Sequence, residues 1–170
     1  MRRVVLVIMA LCVAACDGAP PATPGQGGPT PQAAAPTPVP NAVGGDACHL
    51  LTDQEILQVT GFEVVNREPG AQFGSNAGCV WQLDSGTLDM TWDIHLGVTS
   101  PGGRSDFQDY LEFSPDSEHI AGLGEDAVEG VANSVIALKG DTQIDLQYLG
   151  FHDGSEAIPA ALVRIILTRF

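Results

Sequence analysis

The chain has 170 residues, with 21 acidic and seven basic side chains and a formal net charge of −14 at pH 7. That balance excludes nucleic acid as a partner, because phosphate binding depends on Lys and Arg, and it excludes flat adsorption on anionic lipid. Charge of this size and sign chiefly keeps an exposed domain soluble.

Met1-Arg2-Arg3 precedes an apolar run of 12 residues, Val4 to Ala15. A bilayer span needs about 20 apolar residues, so the run predicts a cleaved export leader over 1–15. The run closes on Val13-Ala14-Ala15-Cys16. An aliphatic residue, two small residues and cysteine resemble a bacterial lipobox. The resemblance implies that Cys16 carries a diacylglyceryl thioether and acyl chains such as palmitate, and that it opens the mature chain. Two or more acyl chains hold a protein on a membrane stably, where one does so only marginally. Simple secretion after Ala14-Ala15 is the alternative. The expected location is the cell membrane, lipid-anchored, on the periplasmic or cell-surface side.

Residues 16–45 follow as a spacer, with eight of the chain's twelve prolines, many Gly, Ala and Thr, and no aromatic residue. Such a segment has too little to bury to offset its ordering entropy, and its prolines favour extended conformations. At coil dimensions it reaches about 30 Å, and fully extended about 90 Å. It lifts residues 46–170, one domain's worth of chain, clear of the headgroups.

The folded part opens on "CHLLTDQEILQVTG". Thr52 and Glu55 form a capping box, Leu51 staples onto Ile56, and Gly61 ends a helix over 53–60. Strands are predicted at 62–67, ended by Glu68-Pro69-Gly70, and at 79–84, ended by Ser85-Gly86. Residues 71–78 read as loop. Over 87–100, Leu88, Met90, Trp92, Ile94, Leu96 and Val98 alternate with polar residues, so one face is buried and one is wet. Pro101-Gly102-Gly103 breaks that strand. A helix over 105–113, capped by Ser105, turns Phe107, Tyr110 and Leu111 inward. "GLGEDAVEGV" leads into a strand, and "SVIALKGDTQIDLQYLG" reads as a hairpin turning at Gly140-Asp141. "SEAIPAALVRIILTRF" closes as a helix striped by Ile158, Leu162, Ile165 and Ile166. The order α-β-β-β-α-β-β-β-α predicts an α+β fold, an antiparallel sheet packed by N-terminal and C-terminal helices.

Cys12 leaves with the leader, and Cys48 and Cys79 are then the only thiols of the domain. An even pair in an oxidising compartment predicts a disulfide. No Cys-x-x-Cys is present for redox work, and His49 alone does not complete a metal site.

Cys48-x-Leu50-Leu51-Thr52-x-x-Glu55-Ile56, then Cys79-x-Trp81, then Gly122-Leu123-Gly124-x-x-Ala127 resemble a family of short cell-envelope lipoproteins of unknown function, common in actinobacteria. The resemblance covers about 48–170. It implies a compact α/β domain of Mog1/PsbP type and brings no activity.

No nucleophile elbow, Walker loop, zinc-protease helix or EF-hand loop is present. Gly122-Leu123-Gly124 lacks a dinucleotide-binding context and reads as a turn. His49, His95, His119 and His152 are scattered, and Trp81 and Trp92 read as core. Asp89, Asp93 and His95 share the wet face of one strand, a place for a weak cation or an ordinary solvated surface. No cofactor and no metal are expected. The expected function is a non-catalytic binding or interaction module tethered at Cys16, engaging an envelope protein. The alternatives are a carrier of a small apolar ligand or lipid between helices and sheet, and an enzyme whose site carries no motif.

Overall fold

The computed structural model describes residues 45–87, 90–150, 152 and 154–170. Cys16, the leader, the spacer up to residue 44, Leu88 and Asp89 lie outside the described residues, while Gly45, expected in the spacer, begins a short strand. Six antiparallel strands form one sheet: β2 (Val64–Pro69), β3 (Ala77–Thr87), β4 (Met90–Thr99), β5 (Asp126–Gly130), β6 (Ser134–Lys139) and β7 (Thr142–Leu149). Their spatial order is β2-β3-β4-β7-β6-β5. A two-residue strand, β1 (Gly45–Asp46), lies parallel against the start of β3, with Gly45 opposite Ala77. Helices α1 (Asp53–Thr60) and α3 (Ile158–Leu167) share one face of the sheet, and α2 (Gly103–Phe113) packs on the other. The predicted α+β fold is present.

Local signals place α1. The Thr52 hydroxyl accepts from the Glu55 backbone N–H, and the Glu55 carboxylate accepts from the Thr52 N–H at 2.8 Å. Leu51 and Ile56 are both buried, and Gly61 closes the helix in the left-handed conformation. Tertiary contacts then reuse the cap. Arg169, just past α3, reaches the Glu55 carboxylate at 2.6 Å and donates to the Leu50 carbonyl. Burial pulls the Glu55 carboxyl upward, but hydrogen bonds from Thr52 and Arg169 outweigh it and hold it below the usual range.

Alternation fills the main core. Trp81, Leu83, Ile94, Leu96, Ile144 and Leu146 from β3, β4 and β7 meet Leu162 and Ile166 of α3, all fully buried. β6 is buried on both faces, because Val135 and Ala137 join this core while Ile136 and Leu138 face α2 with Phe107 and Val128. The Cys48–Cys79 disulfide joins the segment before α1 to β3 with a Cα–Cα distance of 4.9 Å.

Three boundaries differ from expectation. β2 runs on through Glu68 and Pro69, opposite Val80 and Cys79. It is the outer strand at that point, where a proline lacking an N–H is tolerated. β3 includes Ala77 and Gly78, and it continues through Ser85 and Gly86 with a register shift between Asp84 and Thr87. Helix α2 starts at Gly103, two residues before the expected Ser105 cap. Its N-terminal donors are satisfied from the β6–β7 turn: the Asp141 carboxylate accepts from Gly102 at 2.9 Å and Arg104 at 3.3 Å, and the Asp141 carbonyl accepts from Gly103 at 3.0 Å. Gly103 has no room for a side chain, since a Cβ there would sit 2.1 Å from the Gln143 nitrogen.

Two consequences are measurable. Replacing Cys48 or Cys79 by Ala will lower unfolding stability by about 2–5 kcal/mol in urea melts of oxidised protein; unchanged midpoints would show that the bond constrains nothing. Asp141→Ala will speed hydrogen exchange at the first-turn amides of α2 while those of α1 and α3 keep their protection. Uniform acceleration across all three helices would mean that Asp141 supports the whole fold and not this cap.

Candidate functional site

The same alternation that fills the core sends the other residues of β4 and β7 to the opposite face. Register sets Asp145 beside Gly97, Gln143 beside Thr99 and Gln147 beside His95. Gly97 is the one residue of this β4 row without a side chain. A segment before β3 settles over it: a Cβ at Gly97 would lie 2.9 Å from the Gln72 carbonyl oxygen and 3.2 Å from the Phe73 ring. Across the face, α2 is held down by Phe107, with Tyr110 and Leu111 partly buried beside it.

A cleft of about 360 Å³ remains between that segment and α2. Gly97, Thr99, Gln143 and Asp145 form its floor, Phe73 and Ser75 one wall, and Asp106, Asp109, Tyr110 and Phe113 the other. A second cleft of about 340 Å³ lies beyond Tyr110 and Phe113, bounded by Pro115, Asp116, Glu129 and Val131. The ridge between them is apolar and open, with Phe113 89% exposed. Val131 and Phe73 are also exposed.

Asp145 is mostly buried on the cleft floor, and desolvation pushes its carboxyl up to about 6. Beside it Gln143 Oε1 is buried without a hydrogen-bond partner. By contrast, the carboxylates behind the start of α2 are well served. Hydrogen bonds from the Arg104 side chain and the Gly140 N–H hold Glu125 low, and backbone N–H groups of Gly102 and Arg104 do the same for Asp141.

The face expected to be wet is half covered. Asp93 and His95 are both partly buried, and the His95 ring lies 6.3 Å from Phe73. Asp93 Oδ1 is buried without a partner. Neither residue is among those lining the two clefts, and Asp89 lies outside the described residues. The histidines stay apart. His49 is exposed, His119 pairs with Asp126 at 2.8 Å, and His152 stacks on Trp92 and shares a hydrogen bond with the Tyr148 hydroxyl at 3.0 Å. Among the described residues no group of three His, Cys, Asp or Glu is placed to hold a metal ion. Trp81 is core, as expected, and Trp92 packs edge-on against Phe62 at its margin.

The cleft has one signal in the sequence that the expectation did not use. A glycine inside an otherwise regular strand marks close approach of another backbone. Gly97 is that glycine.

Asp145 has a thermodynamic consequence. Its folded carboxyl keeps a proton up to about pH 6, while an unfolded aspartate loses it near 3.8. The folded state therefore binds more protons between those values, and the residue's contribution to stability falls as pH rises through that window. Asp145→Asn removes the penalty. The variant will match wild type near pH 4 and exceed it above pH 7 by on the order of 2–3 kcal/mol in urea melts. An equal offset at both pH values would rule out this origin.

No curated protein and no solved structure matches the chain. Among the described residues no helix is long and apolar enough to cross a membrane. A family profile does match, over residues 11–143, which is more than three quarters of the chain and takes in α1, the disulfide and α2. The chain belongs to the family described as protein of unknown function (DUF3558).

Proposed function

We propose that the protein is a lipoprotein of the cell envelope, anchored through Cys16, whose domain works by binding a partner protein at the face built on α2. The observation that carries the binding face is Phe113, a large aromatic side chain 89% exposed on a ridge between two clefts. Phe73 and Val131 extend the apolar surface on either side. Contiguous exposed apolar side chains rimmed by polar groups mark interaction sites, and aromatic anchors dominate binding energy when they enter a partner's pocket. The acidic rim keeps this surface soluble when unoccupied.

The filled core under α1 and α3 favours this reading over carriage of an apolar ligand between helices and sheet. Trp81, Ile94, Leu146, Leu162 and Ile166 occupy that space and are fully buried. The anchoring part rests on the sequence. Basic start, short apolar run and Val13-Ala14-Ala15-Cys16 coincide, and the family match begins before that joint, at residue 11.

Each half has its own test. Cys16→Ser will shift the protein from the membrane to the soluble or secreted fraction, or leave an uncleaved precursor. A processed variant that still fractionates with membranes would refute the anchor. For the binding face, the full chain is cross-linked in its own membranes and the partner identified. Phe113→Ala will reduce capture about tenfold or more, as hot-spot truncation does, while a distant substitution such as Val65→Ala will not. Equal capture by all three proteins would refute the face.

A further inference from the structure

We propose that the cleft between α2 and strands β4 and β7 receives a cationic side chain, Lys or Arg, presented by a partner protein. The proposal rests on the reading that the α2 face is the binding face, and it names the chemistry of what enters there. Every charged residue lining the cleft is an acid: Asp145 on the floor, Asp106 and Asp109 on the helix. Four of the five Lys and Arg side chains among the described residues are committed elsewhere, and the fifth, Arg164, sits exposed on α3, across the sheet from this cleft. Arg104 holds Glu125 and the Gly140 carbonyl, Arg67 holds Asp53, Arg169 holds Glu55, and Lys139 donates to the Leu167 carbonyl.

The floor is short of donors. The Asp145 carboxylate has no hydrogen bond or ion pair among the described residues, although the residue is mostly buried, and desolvation raises its carboxyl. The Gln143 Oε1 next to it along the strand is buried and unpaired. A buried acceptor without a donor, such as this Oε1, costs free energy. Lys and Arg heads offer three and five N–H donors and no acceptor, so they complement such a floor. The walls suit the rest of the side chain. Phe73, Tyr110 and Phe113 present aromatic surface, which attracts a cation over its face and covers an aliphatic stem.

Size and ligand set narrow the occupant further. At about 360 Å³ the cleft is at the low end of ligand pockets, which run from about 300 to 1,000 Å³. That is room for one long side chain and not for a folded segment. A bare divalent ion is a poorer fit, because no three carboxylate, imidazole or thiolate groups among the described residues are placed to hold one. Cationic character also gives the site a direction in pH. Asp145 faces Asp106 and Asp109 across the cleft, with the uncharged Gly97 and Thr99 of β4 and Phe73 and Ser75 around it. Acidification protonates Asp145 on the floor, so occupancy falls as pH drops.

The test is an NMR titration of the full ¹⁵N-labelled chain in detergent at neutral pH. N-acetyl-arginine amide and N-acetyl-lysine amide are added separately, with N-acetyl-norleucine amide and calcium chloride as controls. The two basic amides are expected to shift the amides of Gly97, Gln143 and Asp145 and of Tyr110 at millimolar concentration. Asp145→Asn is expected to weaken them by about tenfold or more. The double variant Asp106→Asn with Asp109→Asn weakens them less and leaves the floor intact, and it decides the matter if Asp145→Asn does not fold. Silence from both basic amides, an equal response to norleucine amide, or calcium binding at these residues in their place overturns the proposal. Cross-linking separates it from the docking reading. Phe113-dependent capture without basic-amide binding overturns the cation site alone. Amide binding beside capture indifferent to Phe113 supports the cation site and overturns the docking reading.

Discussion

Asp141 is the residue on which the arrangement of the outer face turns. Its carboxylate caps a helix that begins nearly forty residues earlier in the chain, and its carbonyl takes a third donor from the same end. Those bonds fix the entry of α2 against the β6–β7 turn. Gly103 permits the approach, since any side chain there would strike the turn's backbone. Arg104 then reaches Glu125 and the Gly140 carbonyl, so the turn, the helix and the segment before β5 are knotted at one point. From that point α2 runs over β7 and β6 with Phe107 inward. Both clefts are measured from that line.

The two faces of the sheet obey different physics. Under α1 and α3 the strands supply large apolar side chains at every second position, and these pack with the helices into one buried core. On the other face the same strands supply Asp145, Gln143, Thr99 and Gly97, none of which can fill a gap between helix and sheet. An aspartate held there, half desolvated and unpaired, lowers stability at neutral pH. Retaining such a group is the pattern expected of a surface shaped for contact, where stability and function oppose one another.

What the sequence disclosed follows the range of the interactions. Helix α1 was legible almost to the residue because its cap, staple and terminating glycine are all within ten positions. The strands were legible from alternation, and the buried helix α3 from its apolar stripe. The disulfide was legible from the expected compartment and the cysteine count. Helix α2 was placed two residues late because its cap comes from Asp141, and no local pattern announces a cap so distant. The extension of β2 through Pro69 depends on its place at the sheet edge, which is also a tertiary fact. Asp93 and His95 were expected on a wet face, and their partial burial depends on the segment that packs over Gly97. Asp145 and Tyr110 lie on separate elements, so nothing short of the fold brings them together.

The position of the disulfide carries a mechanical meaning. Cys48, ahead of α1, is bonded to Cys79 in β3, a strand paired on both sides. Tension entering from the N-terminal side would cross that bond directly into β3. Residues 49–78, with α1 and β2, would lie outside the load path. From β3 the pull would pass through the full antiparallel ladder to β4, beneath the outer clefts. A domain loaded this way resists being peeled open from its first helix. Held at one end and tugged at the α2 face, it would carry the strain in β3 and β4 while α1 and β2 bear little of it.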